Sequence, residues 1–263
     1  KRKKRALTNQ NLPDEIRTVH APLGRIAEAY RAVRTAVYFS TRGGGHQVIQ
    51  VTSPTPGDGK STLATNLAVS VANSGKQVLL IDADFRRPRV HRLLALDNDV
   101  GMANVIEGSV DWDDAVQTTD IENLSVLPCG VRPKDPSELL TSKRFAELLE
   151  VFREKFDLVI LDTPPVVAVT DPLNVAPRVD GVILVLRLSK NARASAKRSL
   201  EALDEVGGNI LGIVVNGVRQ GQEYGTYGYN SYSSYGYGYG YGNSYGGPGQ
   251  APLGQCGRRQ RRG

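Results

Sequence analysis

The sequence predicts an α/β fold, a mostly parallel sheet with helices on both faces, followed by a disordered tyrosine-rich tail. Three observations lead there. Short, near-continuous apolar runs such as Val182-Ile183-Leu184-Val185-Leu186 recur along the chain, the pattern of strands buried on both faces. Stretches with apolar residues at spacings of three and four separate them, which is the helical period. After Arg219 the composition changes sharply. Nine of the eleven tyrosines fall between Tyr224 and Tyr245, interleaved with Gly, Ser and Asn and with no aliphatic residue, so this segment cannot build a core and is expected to be disordered.

In chain order, residues 6–20 are polar and irregular, and residues 1–21 read as a basic, juxtamembrane-like linker. A helical pattern runs from residue 23 to about residue 38, and Arg42-Gly43-Gly44-Gly45 breaks it. Val48-Ile49-Gln50-Val51 reads as a buried strand that runs into a Pro/Gly-rich loop. Residues 61–72 follow as a helix with Leu63, Leu67 and Val71 on one face. The next strand is Gln77-Val78-Leu79-Leu80-Ile81, ending at Asp82, and Leu124-Ser125-Val126-Leu127 is a shorter apolar run. Residues 141–155 are strongly amphipathic through Phe145, Leu148, Leu149 and Phe152. Strands over 158–161, 182–186 and 210–215 complete the sheet, with a helix near 190–205 between the last two. The folded domain is placed at residues 22–220 and the tail at 221–263.

A chain of 263 residues is long enough for one such domain with a full core. No apolar run approaches the roughly 18–20 residues that a membrane-spanning helix needs. No signal-peptide pattern is present, and a start at Lys1 rather than Met suggests a piece of something longer. Nine of the 33 lysines and arginines lie within residues 1–5 and 258–262, and the remaining 24 face 27 acidic residues. The net charge of +6 therefore describes two short arms and not the body, and no nucleic-acid partner is expected. The first arm is either a solvated flexible segment or one lying just inside a membrane, where basic residues accumulate. Cys129 and Cys256 fit neither a metal-ligand spacing nor a disulfide framework, which leaves a reducing cytosol as the default.

The chemistry concentrates after three strands. Ser53-Pro54-Thr55-Pro56-Gly57-Asp58-Gly59-Lys60-Ser61-Thr62 lies between a strand and a helix, the arrangement of a P-loop. Gly57 and Gly59 let the backbone approach an anion, and the helix start points N–H donors at it. Lys60 offers a cation to the outer phosphates of a nucleotide, and the Ser61 hydroxyl suits a Mg²⁺ position. Pro54 departs from the pattern by replacing its first glycine. Asp82-Ala83-Asp84-Phe85-Arg86-Arg87-Pro88 follows the second strand, with two carboxylates at i and i+2. Asp162 closes a third, followed by Thr163-Pro164-Pro165. Each acidic element alone also fits a solvated strand end. In an open parallel sheet, however, ligands bind beyond the carboxyl ends of strands, so Lys60, Asp82, Asp84 and Asp162 can meet around Mg–ATP.

These three stretches resemble the Walker A, A′ and B motifs of the bacterial tyrosine kinases, the BY-kinases that govern capsular and exopolysaccharide synthesis. The D-x-D-x-R form of A′ is matched by Asp82, Asp84 and Arg86. Further matches are Leu127-Pro128-Cys129-Gly130, Asp135-Pro136-Ser137-Glu138-Leu139-Leu140, Thr170-Asp171, Asp180-Gly181 and Gly212-Ile213-Val214-Val215-Asn216, so the resemblance covers roughly residues 22–218. It implies a P-loop NTPase fold and ATP with Mg²⁺ as cofactors. Gly57, Asp58, Gly59, Lys60, Ser61, Thr62 and Asn216 would bind ATP, and Ser61, Asp84 and Asp162 would hold the metal. Lys60, Asp82, Asp84 and Arg86 would be catalytic, with Asp82 accepting the proton of the attacking tyrosine, whose pKa near 10 makes a base useful.

The resemblance also assigns Glu28, Arg31 and Arg34, an E-x-x-R-x-x-R helix pattern, to the contact between subunits of a ring. The alternative is local salt bridging on a solvated helix. A ring implies phosphorylation in trans. A transmembrane chain-length or activator domain, fused or separate, is implied as a partner, as are other tyrosine-bearing substrates and a tyrosine phosphatase. The implied location is the cytoplasmic side of the bacterial inner membrane. Tyr224, Tyr227, Tyr229, Tyr232, Tyr235, Tyr237, Tyr239, Tyr241 and Tyr245 would be the phosphoacceptors. Two rivals stay open on the sequence. One is a partitioning or division-type deviant-Walker ATPase, whose cross-dimer lysine is here replaced by Thr55. The other is a nucleotide-gated scaffold with a self-associating tail and no kinase activity.

Overall fold

The computed structural model describes residues 12–40 and 47–218. The basic arms, the glycine break at 43–45 and the tyrosine cluster lie outside the described residues. Seven strands form one sheet: β1 (Val48–Thr52), β2 (Val78–Asp82), β3 (Gln117–Thr118), β4 (Leu124–Leu127), β5 (Leu158–Asp162), β6 (Gly181–Arg187) and β7 (Ile210–Asn216). Their order is β3-β4-β2-β5-β1-β6-β7, and every neighbouring pair is parallel except β3 with β4. The helices are α1 (Arg17–His20), α2 (Arg25–Ser40), α3 (Lys60–Ala72), α4 (Val90–Leu93), α5 (Met102–Glu107), α6 (Trp112–Ala115), α7 (Pro136–Thr141), α8 (Lys143–Lys155), α9 (Asp171–Val175) and α10 (Ala192–Glu205).

The apolar runs become strands because both sheet faces are covered. β1, β2 and β5 are buried at every position. Alternate residues serve opposite cores. Leu79, Ile81, Val159 and Leu161 pack with Phe145, Leu149 and Phe152 of α8. Val78, Leu80 and Ile160 pack on the other face with Leu63 and Leu67 of α3. Each such Leu or Phe contributes about 1.5–3 kcal/mol by burial, so this sandwich fixes the strand ends against which the site is built.

The structure moves two predicted boundaries. The helix expected over 141–155 starts at Lys143, because Ser142 Oγ accepts the Phe145 N–H at 3.1 Å and caps it, while Thr141 ends α7. The segment read as linker through residue 21 packs onto the domain over its described part. Ile16 is fully buried, and the Thr18 N–H and hydroxyl donate to Asn66 Oδ1 on α3 at 3.1 and 3.0 Å. Ile16 anchors it, with Leu12 and Val19 packed against the same core, a set too sparse for periodicity to register. Among the described residues no helix is long and apolar enough to cross a membrane.

Candidate active site

The register of the sheet brings the three motifs together. β2, β5 and β1 are adjacent, and Asp82 pairs directly with Asp162, which in turn pairs with Val51. The ladder continues one step beyond the strands: the Ala83 N–H donates to the Asp162 carbonyl at 2.9 Å and the Thr163 N–H to the Val51 carbonyl at 3.0 Å. Three loops must therefore leave the same edge side by side.

The loop after β1 takes its shape from two glycines and two side-chain clamps. Gly57 and Gly59 have φ of +89° and +95°, values that L side chains rarely adopt. Asp58 Oδ2 accepts from the Thr55 N–H and hydroxyl at 2.8 and 2.9 Å, and its Oδ1 accepts the Arg187 N–H at 3.2 Å. Asn216, the last residue of β7, donates from Nδ2 to the Asp58 carbonyl at 2.8 Å. A Cβ on Gly59 would lie 2.5 Å from that same Nδ2. Asp58 and Asn216 thus hold the loop, while Lys60 and Ser61 open α3 beneath it.

Lys60 Nζ sits 2.8 Å from Asp84 Oδ2, 3.2 Å from Asp162 Oδ1 and 3.3 Å from Ser61 Oγ. Burial would lower the Lys60 ammonium pKa, but Asp162 and Asp84 outweigh it and hold it above its ordinary value. Asp162 is fully buried and its carboxyl is pushed up by desolvation, against the pull of Lys60 and Ser61. Asp82 lies deeper. It is fully buried, its Oδ2 accepts the Arg89 and Val90 N–H groups at 2.9 Å each, and its Oδ1 accepts the Asp84 N–H at 3.2 Å. Burial and the neighbouring Asp162 charge push Asp82 up to about 8, outweighing the Val90 N–H and Lys60. Asp84 lines the cavity at this edge, and Asp82 does not.

A hard divalent cation fits this donor set. Ser61, Asp84 and Asp162 offer oxygen only, and Asp162 Oδ2 is buried with no hydrogen-bond partner. Among the described residues no group of three His, Cys, Asp or Glu side chains could hold a metal unaided. Two carboxylates and a hydroxyl suit Mg²⁺, which is usually held by one or two carboxylates together with substrate phosphates.

The remaining predicted residues have commitments of their own. Arg86 lines the cavity, and its Nε and Nη2 donate to Asp171 at 2.8 and 3.1 Å. Asp171 also accepts the Ser137 hydroxyl at 2.7 Å, and Arg86 and Ser137 lower its pKa against the effect of burial. Arg31 Nε donates to Glu28 at 2.7 Å and its Nη1 to the Pro22 carbonyl at 2.7 Å. Arg34 reaches the Ser70 carbonyl of α3 at 2.7 Å. Six helical residues turn through 600°, so Arg34 points about 120° away from Glu28.

The cavity at the strand ends has a volume of about 550 Å³. Gly57, Gly59, Lys60, Ser61 and Thr62 line it, as do three residues to which sequence reasoning gave no role: Arg87, Arg89 and Arg187. The first two stood in view as a basic run directly after the A′ carboxylates. Asp171 and Ser137 also sat in matched stretches, but Asp171 meets Arg86 across 85 positions and Ser137 across 34, and no local signal reports either contact.

Strand, glycine loop, lysine and converging aspartates define a P-loop nucleotide-binding protein. The AAA domain family model matches residues 46–210. Tyrosine-protein kinase YwqD of Bacillus subtilis (strain 168) is 40% identical over 204 residues, covering 77% of this chain and 86% of the relative. Tyrosine-protein kinase etk of Escherichia coli (strain K12) is 35% identical over 223 residues, covering 82% of this chain but 30% of the relative. The solved kinase domain of Escherichia coli tyrosine kinase ETK superposes with a TM-score of 0.77 at 34% identity, covering 87% of this chain and 89% of that one. The chain belongs to the bacterial tyrosine-protein kinase family.

Proposed function

We propose that this kinase transfers the γ-phosphoryl group of Mg–ATP to tyrosines of its own C-terminal cluster, drawn from Tyr224 through Tyr245. One observation carries the reading. Lys60 Nζ is gripped by Asp84 and Asp162 at 2.8 and 3.2 Å under a phosphate loop, in a chain that also carries nine closely spaced tyrosines. Lys60 engages the phosphates, and Ser61, Asp84 and Asp162 hold Mg²⁺. The bound cation would offset the charge on the transferring group, where little covalent work is left to the protein.

Asp82 takes the phenolic proton. Its carboxyl, raised to about 8, lies near the range in which a base works at neutral pH. It is fully buried, and its Oδ2 accepts the Arg89 and Val90 N–H groups. Asp82→Asn is expected to lose phosphorylation while keeping ATP binding. Unaltered transfer would refute the role.

Transfer runs in trans between subunits of a ring, with Glu28 and Arg31 on the contact face and Arg34 bracing α2 against α3. A tail-less subunit mixed with a Lys60→Ala subunit should restore phosphotyrosine, and a silent mixture would exclude transfer in trans. The family resemblance supports a place beneath a transmembrane chain-length domain at the cytoplasmic face of the membrane, where tail phosphorylation would regulate polysaccharide polymerisation. The deciding experiment is mass spectrometry of the folded chain after incubation with Mg–ATP, beside Lys60→Ala. Phosphotyrosine in the first sample alone is expected. Its absence from both, with nucleotide still bound, would leave the scaffold reading.

A further inference from the structure

The segment between β2 and α4 is held tightly for a loop. Phe85 and Val90 are fully buried at its two ends. Asp84 Oδ1 accepts the Arg86 and Arg87 N–H groups at 3.3 and 2.9 Å, and Asp82 Oδ2 accepts those of Arg89 and Val90 at 2.9 Å. Pro88 fixes a further φ. From this pinned backbone Arg86, Arg87 and Arg89 all line the cavity that Lys60 lines. Arg86 is neutralised by Asp171. Arg87 and Arg89 are exposed, and neither forms an ion pair with another described residue.

Two guanidiniums on a pinned backbone, neither in an ion pair among the described residues, attract an anion, and Glu15 is the one acidic side chain besides Asp84 that lines the same cavity. The phosphates of a nucleotide already have Lys60, Ser61 and the N–H groups of the glycine loop. The reaction's product supplies another anion. Phosphotyrosine carries about −1.5 to −2 charges near neutral pH and three strong acceptor oxygens. Guanidiniums take phosphate in paired, directional hydrogen bonds, and arginine clusters are a recurring means of reading phosphorylated peptides. The nine tyrosines are two to four residues apart. In an extended chain that is about 7–14 Å, so holding one phosphotyrosine at the cavity keeps the next tyrosine close to the reacting centre.

We propose that Arg87 and Arg89 form a subsite for phosphotyrosine carried by the tail of a second copy of this chain, retaining a once-phosphorylated tail so that successive tyrosines are modified without release. The idea rests on the autokinase reading, but its first test does not require transfer. The full chain, dephosphorylated and free of nucleotide, is titrated with a fluorescent peptide of residues 224–232, with and without phosphate on Tyr227. The phosphopeptide is expected to bind roughly tenfold more tightly or better, the scale of a charge-assisted contact. Arg87→Ala/Arg89→Ala erases that preference while Mg–ADP binds as before, and Arg87→Lys/Arg89→Lys keeps part of it, having charge without the fork.

Equal affinity for the two peptides would overturn the proposal, as would a preference that survives in the double alanine variant. A parallel loss of Mg–ADP binding would also overturn it and assign the two arginines to the nucleotide. During autophosphorylation, intact-mass spectra of the wild type should pass quickly to multiply modified chains while the alanine variant accumulates singly modified ones. Identical ladders would exclude retention.

Discussion

The loops after β1 and β2 meet at Lys60, yet they are fastened differently. Asp58 and Asn216 hold the first, and neither contacts the lysine or the buried carboxylates in the bonds they make. The second is held by Asp82 and Asp84, the same carboxylates that are proposed to act in transfer. In the first loop, shape and chemistry rest on different residues and can be perturbed separately. In the second they cannot, so any substitution of Asp82 or Asp84 alters the backbone of residues 84–90 as well as the charge beside Lys60.

The sharpest way to break the first loop is to leave its chemistry intact and deny it its shape. Gly59→Ala forces a side chain onto φ +95° and places a Cβ 2.5 Å from Asn216 Nδ2. Strain of this kind costs about 1–3 kcal/mol, which corresponds to roughly a five- to 150-fold loss of nucleotide affinity if the loop relaxes to avoid it. Calorimetric titration with Mg–ADP measures it. Adding Asn216→Ala removes the clash but keeps the positive φ and also loses the bond to the Asp58 carbonyl, so at most part of the affinity should return. Wild-type affinity in Gly59→Ala would mean that the nucleotide binds elsewhere.

A smaller effect is expected at Asp58. Asp58→Ala removes the acceptor for the Thr55 N–H, the Thr55 hydroxyl and the Arg187 N–H. Leaving those donors without it costs about 1–3 kcal/mol of stability, read from the urea midpoint. Nucleotide affinity should fall less than in Gly59→Ala. The transfer rate at saturating Mg–ATP should stay close to wild type, because no bond of Asp58 reaches Lys60, Asp84 or Asp162. A fall in that rate matching the loss in an Asp84→Asn variant would erase the contrast between the loops.

The same contrast explains what could be read from the chain. Asp162 was legible because it closes the run Val159-Ile160-Leu161, Asp84 because it lies two residues past a similar run, and Lys60 and Ser61 because a glycine-bearing loop joins such a run to a helix; a doubly buried strand announces itself by continuous apolarity. The long helices α3, α8 and α10 were legible by period. β3, two residues long and antiparallel, and the four-residue α1, α4 and α6 were not, since too few positions exist to show a period. Roles that depend on distant partners were hidden for another reason. Asp58 lies next to the lysine in sequence and reads as a phosphate-loop residue, yet its partners include Arg187, 129 positions away. Arg34 stands six helical residues beyond Glu28, which turns it about 120° from that side chain and brings it to the Ser70 carbonyl of α3.

The smallest expected effect is a change in how stability varies with pH, and it sharpens the claim that the second loop's carboxylates serve both structure and charge. Asp82 rises from an ordinary 3.8 to about 8 on folding, through burial and the charge of Asp162. Below the lower value both states hold the proton. Between the two values the folded state keeps it longer, so the stability this group contributes is full in acid and is lost as pH climbs towards about 8. Asp162, also raised, acts in the same direction. His91, lowered by burial, opposes them around its ordinary value of 6.5. Asp171 and Asp180, held low by Arg86 with Ser137 and by Arg153, matter only below the ordinary carboxylate range. Asp82→Asn removes one titration and leaves the others, so the fall in urea midpoint between pH 5 and pH 8 should shrink without vanishing. Gly59→Ala should lower both midpoints by the same amount. An undiminished fall in Asp82→Asn would show that Asp82 does not change its protonation between these two pH values.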